Sequence, residues 1–145
     1  MLQKLGISFY AYSPIAGGFL TKTRAKIEGG GTRFSKGEMF GIYHKLFVKD
    51  SFLDALGKWE HIAANEAVSK AEMAYRWIAY NSVLKPELGD GLVIGASSPE
   101  QLDQTLGFLD KGPLSEKAVK AIDELCEGVK HDAIADNFQA VMGGS

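Results

Sequence analysis

Apolar positions fall into three patterns along the chain. Two short runs read as strands. Ile7 to Tyr12 is rich in aromatic and β-branched residues, and Leu92-Val93-Ile94 lies between glycines, as a strand buried on both faces does. Four stripes recur at helical spacing: Phe52, Leu56, Trp59 and Ala63; Val68, Ala71, Tyr75 and Ile78; Leu102, Leu106 and Leu109; and Val119, Ile122, Cys126 and Val129. The third pattern is the lack of one, over residues 21–50.

Boundary residues sharpen these elements. Leu2 and Leu5 before Gly6 look like a last helical turn with a glycine stop. Ser51, with Asp54 in the capping-box position, predicts the start of the first long helix. A second spans Glu66 to Asn81, with Glu66–Lys70 and Glu72–Arg76 as i,i+4 pairs on its wetter side. Ser98 as N-cap, Pro99 at the first helical position and Gln101 three residues after the cap predict a further helix start. Gly112-Pro113 breaks the chain, and Ser115 caps the last helix.

The order is therefore helix end, strand, long loop, helices, strand, helix, helix. That is two βα units with parallel strands. Two parallel strands alone leave faces and edges uncovered, so the pattern predicts part of a larger α/β fold, with self-association possible through the open strand edges.

Composition narrows the function. The chain has 145 residues and a net charge of -2, which points to no nucleic-acid partner. No apolar stretch approaches the roughly 20 residues needed to span a bilayer. Lys4 and the apolar run to Leu20 resemble a signal peptide only faintly, since Ser13-Pro14 and two tyrosines interrupt it. A lone cysteine, Cys126, excludes an internal disulfide, and its place on an apolar stripe predicts inert packing. His44, His61 and His131 have neither ligand spacing nor a nucleophile partner, so no metal site is expected.

Three stretches carry candidate chemistry. Ser13-Pro14-Ile15-Ala16-Gly17-Gly18 ends the first strand; a hydroxyl with glycine amides suits a phosphate, and the same residues suit a plain turn. The long loop that follows holds Lys22, Arg24, Lys26, Arg33 and Lys36 against Glu28 and Glu38, a local charge of +3. It reads equally as a basic lid over a phosphate-bearing ligand or as a solvated loop. The free N–H groups at the helix start after Ser98 suit an anion, or belong to an ordinary βα turn.

Taken together, Phe9 to Thr21 (FYAYSPIAGGFLT), Thr32-Arg33-Phe34 and Gly89 to Thr105 (GDGLVIGASSPEQLDQT) resemble the aldo-keto reductases. The nearest branch is that of the aflatoxin-aldehyde reductases and the fungal reductases of secondary metabolism. Tyr75-Arg76-Trp77-Ile78 and Gly112-Pro113-Leu114 match the same family. The resemblance implies an α/β fold, the C-terminal fragment of a (β/α)8 TIM barrel. The last two βα units and the terminal helix fall in residues 1–130, with a flexible tail over residues 131–145. It implies NADP (NADPH) as cofactor, a small-molecule carbonyl substrate and a cytoplasmic location. Ser13, Pro14, Ile15, Ala16, Gly17, Gly18, Phe19, Leu20 and Thr21 match the strap over the cofactor pyrophosphate, and Arg33 a basic contact of the same lid. Ala96, Ser97, Ser98, Gln101 and Gln104 match the positions that hold the adenosine and its 2′-phosphate.

Departures are as informative. The family's catalytic tyrosine, aspartate, lysine and histidine lie in the first half of the barrel, and the resemblance transfers none of these roles here. Gln101 stands where many members have an arginine, Lys22 where a glycine is common and Thr105 where an asparagine is common. The resemblance implies a reductase of aldehydes or ketones, with this chain supplying cofactor binding. Two alternatives are a non-catalytic remnant that binds nucleotide weakly or pairs with another barrel fragment, and an unrelated α/β binding module.

Overall fold

The computed structural model describes residues 2–38 and 41–134. A 3-10 turn over Leu2–Leu5 closes on Gly6, which takes the left-handed φ of +65° expected of a glycine stop. The first strand, β1, is Tyr10–Ala11, and a kinked 3-10 segment follows at Ala16–Thr21. Then come α1 (Arg24–Glu28), α2 (Ile42–Phe47), α3 (Asp50–Asn65) and α4 (Lys70–Tyr80). The second strand, β2, is Gly91–Leu92, followed by α5 (Pro99–Leu109), α6 (Glu116–Val129) and a 3-10 turn at Lys130–Asp132.

β1 and β2 pair in parallel, with Tyr10 opposite Gly91 and Ala11 opposite Leu92. Asp90 anchors the pairing: its carboxylate accepts from the Phe9 N–H at 2.8 Å and the Lys85 N–H at 2.9 Å. Both strands are shorter than their sequence runs, and neither is buried. Ile7, Phe9, Tyr10 and Tyr12 are exposed, and so is Val93, which corrects the expectation that Leu92-Val93-Ile94 is buried on both faces. Each strand has one neighbour only among the described residues, and burial of a parallel sheet needs cover on both faces.

The interior lies among the helices. One core joins Trp59 and Ala63 of α3, Met73 and Ala74 of α4, and Leu114, Ala118 and Ile122 at α6. The other lies under the long segment after β1, where Phe19, Ile27 and Phe34 pack on Leu53 and Leu56 of α3. The segment read as a long loop is therefore folded. It is built on α1 and α2 and an aromatic cluster whose Phe19 and Phe34 rings meet edge to face at 5.5 Å. Three apolar residues spread over 16 positions leave no period to read, yet they meet in space.

Caps are borne out unevenly. Ser98 Oγ accepts from the Gln101 N–H, and Ser115 Oγ accepts from the Ala118 N–H. The capping box at Ser51 does not form: α3 starts at Asp50, and its cap, Lys49, makes no side-chain bond to the free N–H groups of the helix. The next helix starts at Lys70, capped by Ser69 rather than beginning at Glu66. Glu66 turns away from Lys70 and accepts from Ser115, while Lys70 pairs with Glu60. Glu72 and Arg76 do pair, at 2.9 Å, but on the buried side of α4.

The apolar stripe of α5 is the largest correction. Leu102 and Leu106 are exposed, and the buried residue of the helix is Thr105. On α6, Ile122 is buried as expected, whereas Cys126 is exposed at the edge of the face. Partial burial, then Asp123 and Glu127, push the Cys126 thiol up, away from the reactive thiolate. At the start of the expected tail, Lys49 Nζ donates to the Asp132 carbonyl and Ser51 Oγ to its carboxylate. Residues 135–145 of that tail lie outside the described residues. Among the described residues no helix is long and apolar enough to cross a membrane.

Candidate cofactor cleft

Beyond the ends of β1 and β2, where their carboxyl termini point, a cleft of about 910 Å³ opens between the segment after β1 and the turn into α5. Such a volume is in the range of small-molecule sites. One wall is Ser13, Pro14, Ile15, Gly17, Gly18 and Thr21, with Arg33 from further along the lid. The other is Ala96, Ser97, Gln101 and Gln104. Residues some 80 positions apart in sequence thus face one space, because the parallel pairing brings the two strand ends side by side.

The first wall has an unusual backbone. Ser13, Ala16, Gly17 and Gly18 all take positive φ, and two of them carry side chains. The Ser13 carbonyl accepts from the Ala16 N–H at 2.8 Å, and the Ile15 carbonyl from the Gly18 N–H at 2.9 Å. Thr21 Oγ1 closes the segment by donating to the Gly18 carbonyl at 2.7 Å. Left-handed backbone at residues with side chains costs energy, and such strain gathers where a segment is shaped for a ligand.

Expected site residues that do not line the cleft have other duties. Phe19 is buried in the lid core, and Leu20 packs between the two cores. Ala16 lies behind the glycines, against the lid core. Ser98 is occupied as the cap of α5. Gln101 does not complete the expected box with its own cap residue. Its Oε1 reaches one residue further and accepts from the Ser97 N–H at 2.7 Å and the Ser97 hydroxyl at 2.8 Å. Glu100 adds a negative charge there; its own backbone N–H and then the Ser98 hydroxyl hold its carboxyl below the ordinary value. The start of α5 thus spends much of its donor capacity on its own side chains.

Positive charge comes from the lid instead. Lys22, Lys26 and Arg33 all line the cleft, and among the described residues none of them is paired with a carboxylate. Thr105, at the position of a common family asparagine, turns its hydroxyl onto the Gln101 carbonyl at 2.8 Å. Sequence reasoning missed Tyr43, which lines the cleft from α2. It sits in the stretch without periodicity, and only its place among Phe34 and Phe47 marks it.

The model of the aldo/keto reductase family matches residues 1–127. The chain belongs to that family. Among similar aldo/keto reductases and related oxidoreductases, the oxidoreductase sirO of Leptosphaeria maculans is 40% identical over 136 residues, 93% of this chain and 41% of the relative. An aldo-keto reductase of Pseudocercospora fijiensis is 40% identical over 133 residues, 89% of this chain and 45% of that protein. Aflatoxin B1 aldehyde reductase member 2 of Mus musculus is 33% identical over 140 residues, 90% of this chain and 38% of the relative. This aldo/keto reductase chain therefore spans less than half the length of the curated relatives it matches. Family members share an eight-stranded barrel with its chemistry at the carboxyl ends of the strands, and the cleft here lies at that end of β1 and β2.

Proposed function

We propose that the cleft holds NADP(H) and that the chain is the cofactor-binding part of a reductase of aldehyde or ketone groups. It would correspond to the last two βα units of the family barrel. The single observation that carries this reading is the meeting of the Ser13–Thr21 strap and the Ala96–Gln104 turn across one cleft with three unpaired lid cations. The donor set fits the group: closely approachable glycine backbone and Lys22, Lys26 and Arg33 suit a pyrophosphate or 2′-phosphate. Gln101, turned back on Ser97, leaves the lid cations to hold the 2′-phosphate. Hydride chemistry comes from the nicotinamide when the cofactor is bound. This chain's residues bind, orient and shield from water; no proton donor for the carbonyl oxygen is assigned among them. A cytoplasmic location and a fungal natural-product pathway complete the reading, on the resemblance to relatives of that branch.

Titration of the 145-residue chain with NADPH, followed by nicotinamide fluorescence with NADH as control, tests it. Saturable binding that favours NADPH is expected, weakened about tenfold by Arg33→Ala through loss of a charge-assisted contact. Absence of binding by a folded chain refutes it. The chain alone is expected to turn over no aromatic aldehyde.

A second reading rests on a different observation. Tyr10 on β1, Tyr12 and Val93 just beyond the strands, and Leu102 and Leu106 on α5 are exposed apolar groups of the type a barrel covers. They favour association with another barrel segment or with a second copy, with nucleotide binding weak or secondary.

A further inference from the structure

We infer that Tyr43 is a positioning residue of the cleft, a clasp that fixes the glycine turn of the strap and holds Arg33 at its rim. This rests on the reading of the cleft as a cofactor site. Three segments converge on the one ring. Arg33 stacks its guanidinium over it, with Cζ 5.6 Å from the centroid. Phe34 meets it edge to face at 5.8 Å and 86°, and Phe47 flanks it at 6.0 Å, so the ring has a fixed seat. On the strap side the ring fills the place a Cβ of Gly17 would take.

Gly17 is therefore glycine for two independent reasons. Its φ is +64°, and its bare Cα lets the Tyr43 ring close onto the turn. The ring thus ties the strap to the lid, which no backbone hydrogen bond between residues 13–21 and α2 does. It also deals with the flexibility of Arg33. That side chain is exposed and has no carboxylate partner among the described residues. Free, it would lose rotamer freedom on meeting an anion; stacked on an aromatic face, it has lost part of that freedom already.

Two measurements on the 145-residue chain test the clasp. The first needs no cofactor: amide hydrogen exchange over residues 13–21. Tyr43→Leu is expected to speed exchange there while leaving α4 and α6 unchanged, and Tyr43→Phe to restore protection. The second is NADPH titration. Tyr43→Leu is expected to weaken binding about three- to fivefold, the weight of an exposed cation–π contact, and Tyr43→Phe to recover most of it. In an Arg33→Ala background the effect of Tyr43→Leu should shrink, because the two residues act through one contact. Unchanged exchange in Tyr43→Leu, or equal loss in Leu and Phe variants, overturns the clasp. If the wild-type chain binds no dinucleotide, the cofactor reading fails, and the exchange comparison still decides whether Tyr43 fixes the strap.

Discussion

Arg76→Met should be among the most damaging single substitutions in this chain. The guanidinium is the centre of a buried polar knot. It meets Glu72 Oε1 at 2.9 Å and donates to the Gly112 carbonyl at 2.8 Å and the Pro113 carbonyl at 2.7 Å. The side chains of Glu72 and Arg76 are 5% and 10% exposed, so water replaces little of what is lost. Methionine fills much of the volume but leaves a buried carboxylate with Lys111 alone, and two turn carbonyls short of a donor. Breaking a buried pair from one side costs about 3–5 kcal/mol. That is a large share of a domain stability of about 5–15 kcal/mol. With a urea slope of about 2 kcal/mol per molar, the midpoint should fall by roughly 1.5–2.5 M. Urea unfolding followed by tryptophan fluorescence reads it, since Trp59 and Trp77 lie on α3 and α4. Lys111→Met is the control: Lys111 pairs with the same carboxylate from a half-exposed position, and its loss should cost under about 1 kcal/mol. If the two variants lose equally little, the knot is not a buried pair in energetic terms and the argument is wrong.

Other outcomes follow from the same structure. Ser115→Ala removes the cap of α6 and should cost about 1 kcal/mol at neutral pH by thermal or urea unfolding. Hydrogen bonds from the Ser115 hydroxyl and then its backbone N–H hold the Glu66 carboxyl below its ordinary 4.5. A depressed carboxyl stabilises the fold fully above its ordinary value, and that contribution is lost as pH falls through the lowered one. Ser115→Ala should therefore also flatten the decline of stability below pH 4.5. Paired Leu102→Lys and Leu106→Lys substitutions charge the exposed face of α5, and should reduce self-association in light scattering without lowering helix content. Equal association in the charged variant would place the contact elsewhere, with the open strand edges next to be tested.

Much of the local structure was legible because its causes are local. The Ser98-Pro99 start of α5 and the Ser115 cap of α6 formed where a side-chain oxygen stands within reach of its own helix's free N–H groups. The two lining walls of the cleft were legible as motifs of a family, and the parallel pairing of β1 with β2 sets them opposite each other. The Ser51 box failed since Lys49 and Ser51 are engaged by Asp132, a partner 81 residues from Ser51 that no local rule foresees.

What the sequence by itself determined is the four longer helices, the caps of α5 and α6, and the family to which the chain belongs. Those follow from periodicity, short-range hydrogen bonding and motif order. Tertiary structure alone decided which sides of α4 and α5 are dry. Glu72 and Arg76 look like a surface pair and are buried, because the Gly112–Pro113 turn folds over them. Leu102 and Leu106 look like core and are exposed, because the helix turns Thr105 inward instead. It alone also gathered Gly17 and Arg33 around the Tyr43 ring. Periodicity records that a residue is apolar and how far it lies from the next; it does not record what arrives to cover it.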